Sequence, residues 1–287
     1  MTTRLLLCSD LDRTLLPNGP QPESPGARER FTRFVSRPEV MLVYVTGRHR
    51  GLAQQAIANY CLPPPHFVIG DVGTTIFEVT EKGWHLQQAW QDEIAPDWAG
   101  LAHGDIRALL GGIKLLRLQE KAKQNLHKLS YYVPLYANHV ALMDEVRQHL
   151  LQHNVHASLV WSIDEPAGIG LLDVLPARAN KLHAVEFLMQ QSGFSYADTV
   201  FAGDSGNDLP VLCSAIPAVL VANASDEVRS AALQQASALG HSSQLYLAAG
   251  GWHGMNGNYS AGVLEGIVHF IPQTASWLDP QGTGAAP

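Results

Sequence analysis

Asp10 and Asp12 stand one residue apart where the apolar run Leu5, Leu6, Leu7, Cys8 gives way to DLDRT. If strand geometry persists across them, both carboxylates point the same way and each perturbs the other's ionisation. Such a pair needs a cation or a shared proton. Mg²⁺ suits it, because this cation binds through one or two carboxylates while keeping waters and a substrate phosphate. Alone, a DxD pair is most often two aspartates in an exposed loop. Its weight comes from VFAGDSGND, Val200 to Asp208, where a second apolar run ends in Asp204 and Asp208, with Gly203 and Gly206 allowing a tight turn. Two further run ends lie between these stretches. VYVTGR, Val43 to Arg48, ends in Thr46 and Gly47 at an expected helix start; NKLHAVEFL, Asn180 to Leu188, opens a helix with Asn180 as cap and Lys181 just inside.

To gather these residues, strand ends must share one edge of a sheet. Leu5 to Cys8, Val40 to Val45 and Phe67 to Gly70 read as buried strands alternating with helices at 27–36 and 48–60, the pattern of a doubly wound parallel sheet. From Trp84 to Asp173 the texture changes to alternating strands and more tryptophans, which indicates an inserted α+β domain. Its expected parts are a helix near 98–110, a strand at 128–133, a helix at 140–153 and strands at 155–162 and 168–175, forming a sheet covered on one face and open on the other. From Asn180 the first pattern returns: helix, strand 199–202, helix 208–215, strand 218–221, helix 225–236 and a last helix 259–270. The tail with Gly282 and Gly284 is expected to fray. The division is therefore 1–83 and 174–287 for the core, 84–173 for the insertion.

Composition removes several classes. A formal charge of -7 over 287 residues, with no basic run, excludes a phosphate-backbone binder of nucleic acid. Three scattered cysteines, Cys8, Cys61 and Cys213, fit reduced thiols and a cytoplasmic location. No stretch has transmembrane length or signal-peptide form, so no membrane partner is expected. The thirteen histidines contain no HExxH or HxH cluster, which argues against zinc.

The order D-x-D-x-T, T-G-R, K, G-D-S-G-N-D resembles the haloacid dehalogenase superfamily of phosphohydrolases. SDLDRT, VTGR, VGTTI, KLSYY, DVLPARANK, GDSGND and SAGVLEGIVHF make the chain similar to the sucrose-phosphate phosphatases over nearly its whole length. The stretch GGWHGMNGNYS, Gly250 to Ser260, departs from that likeness in its length. The resemblance implies an α/β fold, a Rossmann-like core with an inserted type-II cap, and Mg²⁺-dependent hydrolysis of a sugar phosphate. It implies Asp10 as nucleophile, Asp12 as acid and base, and Thr46, Gly47 and Lys181 on the phosphoryl group. Mg²⁺ is expected on Asp10, Asp12 through its carbonyl, and Asp204, with Asn207 and Asp208 in support; Thr14 would orient the loop. The sugar is assigned to Lys128, Ser130, Tyr131, Asp173, Arg178 and Asn180. Sucrose 6-phosphate is the first substrate, with mannosylfructose phosphate or a glucosylglycerol-type phosphate as alternatives. Association with the synthase that makes the sugar phosphate is also expected. A phosphomutase is a rival enzyme class. A non-catalytic sensor should have lost Asp10, Asp12 or Lys181, and a nicotinamide binder would need a G-x-G-x-x-G after the first strand.

Overall fold

The computed structural model describes residues 3–278. Its strands are β1 (Leu5–Ser9), β2 (Val40–Val45), β3 (Phe67–Gly70), β4 (Thr75–Thr80), β5 (Gly83–Leu86), β6 (Arg117–Leu118), β7 (Leu129–Val133), β8 (Ala157–Asp164), β9 (Ile169–Pro176), β10 (Thr199–Gly203), β11 (Ala218–Leu220) and β12 (Leu245–Leu247). Its helices are α1 (Ala27–Val35), α2 (Arg50–Asn59), α3 (Gln88–Ile94), α4 (His103–Leu110), α5 (His139–Leu151), α6 (Lys181–Ser192), α7 (Leu209–Leu212), α8 (Asp226–Ala238), α9 (Ser260–Phe270) and α10 (Ala275–Leu278).

All five residues of β1 are buried, and the pleat sends them to two layers. Leu5 and Leu7 pack with Phe31 and Phe34 of α1 and Val263 and Ile267 of α9. Leu6 and Cys8 face the other way, toward Val185 and Leu188 of α6 and Ala232 of α8. Each fully buried leucine is worth roughly 1.5–3 kcal/mol, and a one-residue slip would exchange the two layers, so the register that carries Asp10 is strongly specified. The sheet order is β12-β11-β10-β1-β2-β3-β4-β5. From β12 through β3 every neighbouring pair is parallel. Successive strands move outward in opposite directions from the β1/β10 pair, which makes that junction the switch point where such sheets open a crevice.

Several expectations need correction here. The sheet ends in an antiparallel hairpin, β4 and β5, paired to β3. The expected boundary at residue 84 falls inside β5, where Trp84 packs against Phe77, and Trp90 of α3 is buried in the α6 and α8 layer. Tryptophan does not mark the insertion, because a large apolar ring serves either layer equally well. The helix expected at 208–215 is shorter, α7 alone, and β12 was not anticipated. The Gly282 and Gly284 tail lies outside the described residues.

The second sheet has the order β6-β7-β9-β8, antiparallel throughout. Leu142, Val146 and Leu150 of α5 pack on the face bearing Leu129, Tyr131, Val133, Leu172 and Val174. The alternate residues, Ser130 and Asp173 among them, belong to the opposite face. Among the described residues no helix is long and apolar enough to cross a membrane.

Candidate active site

Asp10 follows β1 directly, and its N–H still bonds to the Ala202 carbonyl of β10 at 2.9 Å, so it leaves the sheet at the switch point. Beyond it the chain coils back: the N–H groups of Thr14, Leu15 and Leu16 all donate to the Leu11 carbonyl, and Arg13 takes a left-handed φ of 59°. Leu11, Leu15 and Leu16, all fully buried, anchor this turn. The strand geometry therefore does not persist, and the expectation that Asp10 and Asp12 point together is corrected. Asp10 turns inward to Lys181. Asp12 turns to Arg48, which holds both of its oxygens at 2.6 and 2.7 Å, while Asn18 donates to it at 2.8 Å. Burial works against the Asp12 charge, but the bonds and charge of Arg48 outweigh it and hold the carboxyl below its usual range.

Lys181, in the first turn of α6, is 2% exposed. Its Nζ donates to Asp10 Oδ1 at 2.8 Å, Asn207 Oδ1 at 2.8 Å and Asp208 Oδ1 at 2.6 Å, which uses all three ammonium hydrogens. Burial opposes its charge; Asp10 and Asp208 more than compensate, and its pKa is raised. The other oxygen of Asp208 accepts from the N–H groups of Asp204 and Ser205 and from the Ser205 hydroxyl, closing a capping box. Only glycine fits at 203, since a Cβ there would come within 2.7 Å of the Asp208 carboxyl carbon. Asp204, 5% exposed, accepts from the Thr14 hydroxyl at 3.2 Å and has Arg13 Nε at 3.6 Å.

Carboxylate oxygens of Asp10, Asp204 and Asp208 lie within 4.8 Å of one another. Three buried negative charges thus face the cations Lys181 and Arg13 and are left short of positive charge. Burial, with Asp208 beside it, pushes Asp204 up to about 7. Burial raises Asp10 as well, with Asp208 and Asp204 adding to it against Lys181. An all-oxygen, anionic donor set of this kind fits a hard divalent cation. A carboxyl whose folded pKa lies above its unfolded value destabilises the fold as pH rises through the folded pKa. With chelator present, Tm should therefore fall between pH 6 and pH 8, and added Mg²⁺ should raise Tm more at pH 8, where Asp204 is mostly ionised. Asp204→Asn should flatten both trends. Thermal melts at the two pH values check this, and identical Mg²⁺ shifts at both would contradict it.

Thr46 is 1% exposed and its hydroxyl accepts from the Arg48 N–H at 3.2 Å. Helix α2 begins at Arg50, not directly after Gly47, so Gly47, Arg48 and His49 form a turn that lines a cavity instead of a helix start. This cavity, about 490 Å³, lies between the two sheets. Its core wall is Gly47, Arg48 and the Ser205 to Asn207 turn; its cap wall includes Lys128, Ser130, Ser162 and Asp173. Asn207 belongs both to this wall and to the Lys181 cluster.

The sugar candidates separate. Lys128 is buried between Asp71 and Asp173, at 3.6 Å from each, and the Ser130 hydroxyl bonds to Asp173. Tyr131 does not reach the cavity: as the strand neighbour of Ser130 it points to the opposite face and is buried under α5. Arg178 is a brace, paired with Glu93 at 3.1 Å and Asp97 at 3.0 Å. Asn180 caps α6, accepting from the His183 N–H at 3.0 Å. Arg178 and Asn180 are absent from the cavity wall.

Three residues were missed. Arg48 closes VYVTGR, where the threonine and glycine alone carry an obvious phosphate-binding signal. Arg13 lay within DLDRT. Asp71, at the end of β3, carried the same signal as Asp10, a carboxylate at a parallel strand's carboxyl end. It and Val72 both have positive φ, 50° and 61°, which is strained for a β-branched valine. Lys128 from the second sheet faces Asp71, and Asn125 donates to Thr74 at 2.9 Å, so this strained turn is tied across the two sheets.

The family described as sucrose-6F-phosphate phosphohydrolase matches residues 3–271. A HAD-like hydrolase of Nitrosococcus oceani is 54% identical over 279 residues, covering 97% of this chain and 75% of that protein. The mannosylfructose-phosphate phosphatase of Agrobacterium fabrum is 28% identical over 236 residues, 80% of this chain and 87% of its own. The sucrose-phosphatase of Synechocystis sp. PCC6803, solved with sucrose and phosphate, superposes with a TM-score of 0.72 at 26% identity, covering 94% of this chain and 99% of that one. With Asp10, Lys181, Asp204 and Asp208 gathered at the switch point of an α/β sheet and the match running almost end to end, the chain is a phosphatase belonging to the sucrose-6F-phosphate phosphohydrolase family of the haloacid dehalogenase superfamily.

Proposed function

We propose that the protein hydrolyses a phosphorylated disaccharide, sucrose 6-phosphate first among them, through an aspartyl phosphate at Asp10. The observation that carries this reading is the cavity shared by the two sheets. It is large enough for a small ligand, polar on its cap wall at Lys128, Ser130 and Asp173, and bordered by Asn207, which accepts a hydrogen bond from Lys181 of the carboxylate cluster. Mannosylfructose phosphate is the second reading, favoured by the Agrobacterium relative.

Asp10 attacks phosphorus in line, the bond to the sugar oxygen breaks, and Asp12 protonates that oxygen as it leaves. Asp12 then takes a proton from the water that attacks the aspartyl phosphate, returning Asp10 and releasing inorganic phosphate. Because Arg48 keeps Asp12 ionised at rest, the acid form requires Arg48 to turn from Asp12 toward the incoming anion. Lys181 and Thr46 hold the phosphoryl oxygens as charge shifts between them. Bound by Asp10, Asp204 and the Asp12 carbonyl with Asn207 and Asp208 in support, Mg²⁺ would cancel the repulsion between the anionic nucleophile and the anionic ester. Free cysteines at 8, 61 and 213 support a cytoplasmic setting.

The test is phosphate release from sucrose 6-phosphate, mannosylfructose phosphate and p-nitrophenyl phosphate with Mg²⁺, in the wild type and in Lys128→Ala and Ser130→Ala. The cap variants should lose about 10- to 100-fold in kcat/KM on the disaccharide phosphate and less than about threefold on the aryl ester, since binding energy from non-reacting groups positions the reacting ones. No turnover of any sugar phosphate would sink the substrate assignment. Equal losses on both substrates would remove Lys128 and Ser130 from sugar recognition.

A further inference from the structure

The long stretch Gly250 to Ser260 has no part in the chemistry described above, yet it is built against the turn that carries Asp12. Its start is pinned by buried Glu265, which accepts from the N–H groups of Ala249 and Gly250 at 3.0 Å each. Its middle grips the segment after that turn: Asn256 and Asn258 both donate to the Pro22 carbonyl, and Asn256 exchanges bonds with the Ser24 hydroxyl. Its end meets Asn223, which follows β11 and is 2% exposed. Asn223 Oδ1 accepts from the Tyr259 N–H at 2.8 Å, and Asn223 Nδ2 donates to the Arg13 carbonyl at 2.6 Å. Arg13 and Tyr259 both hold positive φ, 59° and 51°, a conformation that costs a side-chain-bearing residue energy unless its surroundings enforce it. The Arg13 guanidinium bonds back to the Asn223 carbonyl at 3.4 Å while its Nε faces Asp204.

We propose that Asn223 is a positioning residue for the phosphatase reaction. Its amide clasps the strained Arg13 backbone to the Gly250–Ser260 stretch, and so fixes the turn from which Asp12 meets Arg48 and from which Arg13 and Thr14 meet Asp204. This reading rests on the phosphatase activity of the family and on no particular sugar, so a small aryl phosphate serves as substrate.

Asn223→Asp separates the two halves of the clasp. It keeps the acceptor for Tyr259 but sets a carboxylate oxygen where the donor to the Arg13 carbonyl stood. On p-nitrophenyl phosphate, kcat should fall about 10- to 100-fold with KM changed less than about threefold, the size of loss that a small misplacement of reacting groups produces. The Mg²⁺ concentration that half-saturates the rise in Tm should increase about tenfold, because Asp204 loses the neighbours that aim it. The far-UV circular dichroism should match the wild type. Asn223→Gln, which keeps the amide but displaces it by one methylene, should give the same split at about fivefold in kcat and answers the question if the aspartate variant does not fold. Either folded variant retaining wild-type kcat and Mg²⁺ half-saturation within twofold overturns the proposal, as does a loss confined to KM.

Discussion

Asp10→Asn should lower turnover by more than about 10⁴-fold and leave no acid-stable phosphoenzyme, because an amide oxygen is a poor nucleophile and, among the described residues, no other carboxylate is placed to substitute for it. Of the buried carboxylates, Asp208 has both oxygens committed, to Lys181 on one side and to the Asp204 and Ser205 amides on the other. Asp204 is engaged by Thr14 and Arg13. The variant should still fold, since Lys181 keeps Asn207 and Asp208 as partners. Asp12→Asn should behave differently. It removes the proton donor and acceptor but leaves the nucleophile, so a p-nitrophenyl ester, whose leaving group needs no acid, should still phosphorylate Asp10. The covalent species should then accumulate, because the attacking water has lost its base. Rapid quench with radiolabelled substrate reads both cases. Equal covalent labelling of wild type and Asp10→Asn would refute the nucleophile assignment.

What the sequence disclosed and what it hid follow from the range of the forces involved. Asp10, Asp204 and Lys181 were legible because each sits where an apolar run stops or a helix starts, and local pattern alone reports such ends. That these ends share one sheet edge follows from alternating strands and helices. The pairing of Asp12 with Arg48 was not legible. It depends on the chain coiling back round the Leu11 carbonyl, and the partner lies 36 residues away. Tyr131 and Ser130 could have been separated from the sequence, since adjacent strand residues face opposite ways and only one of the two can face the substrate. Arg178 and Asn180 lay near the junction of the two sheets, where polar residues serve the junction itself as readily as a ligand. Arg178 braces Glu93 and Asp97, and Asn180 caps α6. The placement of β5 failed for a related reason: Gly83–Leu86 is a short, partly exposed edge strand, and its four residues carry too little pattern to say which sheet they join.

Lys181→Met should damage both folding and chemistry. The ammonium is buried, and all of its hydrogen bonds go to Asp10, Asn207 and Asp208. Methionine fills nearly the same volume, so the substitution chiefly removes charge and donors. Taking one partner from a buried ion pair typically costs about 3–5 kcal/mol, because the remaining carboxylates stay desolvated without compensation. In chelator at pH 8, the urea midpoint should fall accordingly. The penalty should shrink toward pH 5, where Asp10, already raised by burial and no longer held down by Lys181, can relieve it by taking up a proton. Mg²⁺ should restore part of the lost stability at pH 8 by supplying positive charge to the same carboxylates. Activity should not return with it: kcat should stay down by about 10³-fold on sugar and aryl phosphates alike, since a preorganised cation at the phosphoryl oxygens is lost in both reactions. Lys181→Arg should not rescue, because the planar fork is too broad for a site where Asp208 is wholly buried. A Lys181→Met protein as stable as wild type at pH 8 in chelator would mean that the ammonium is not compensating ionised carboxylates in the resting protein. A kcat loss confined to the sugar substrate would move Lys181 from the phosphoryl group to the sugar.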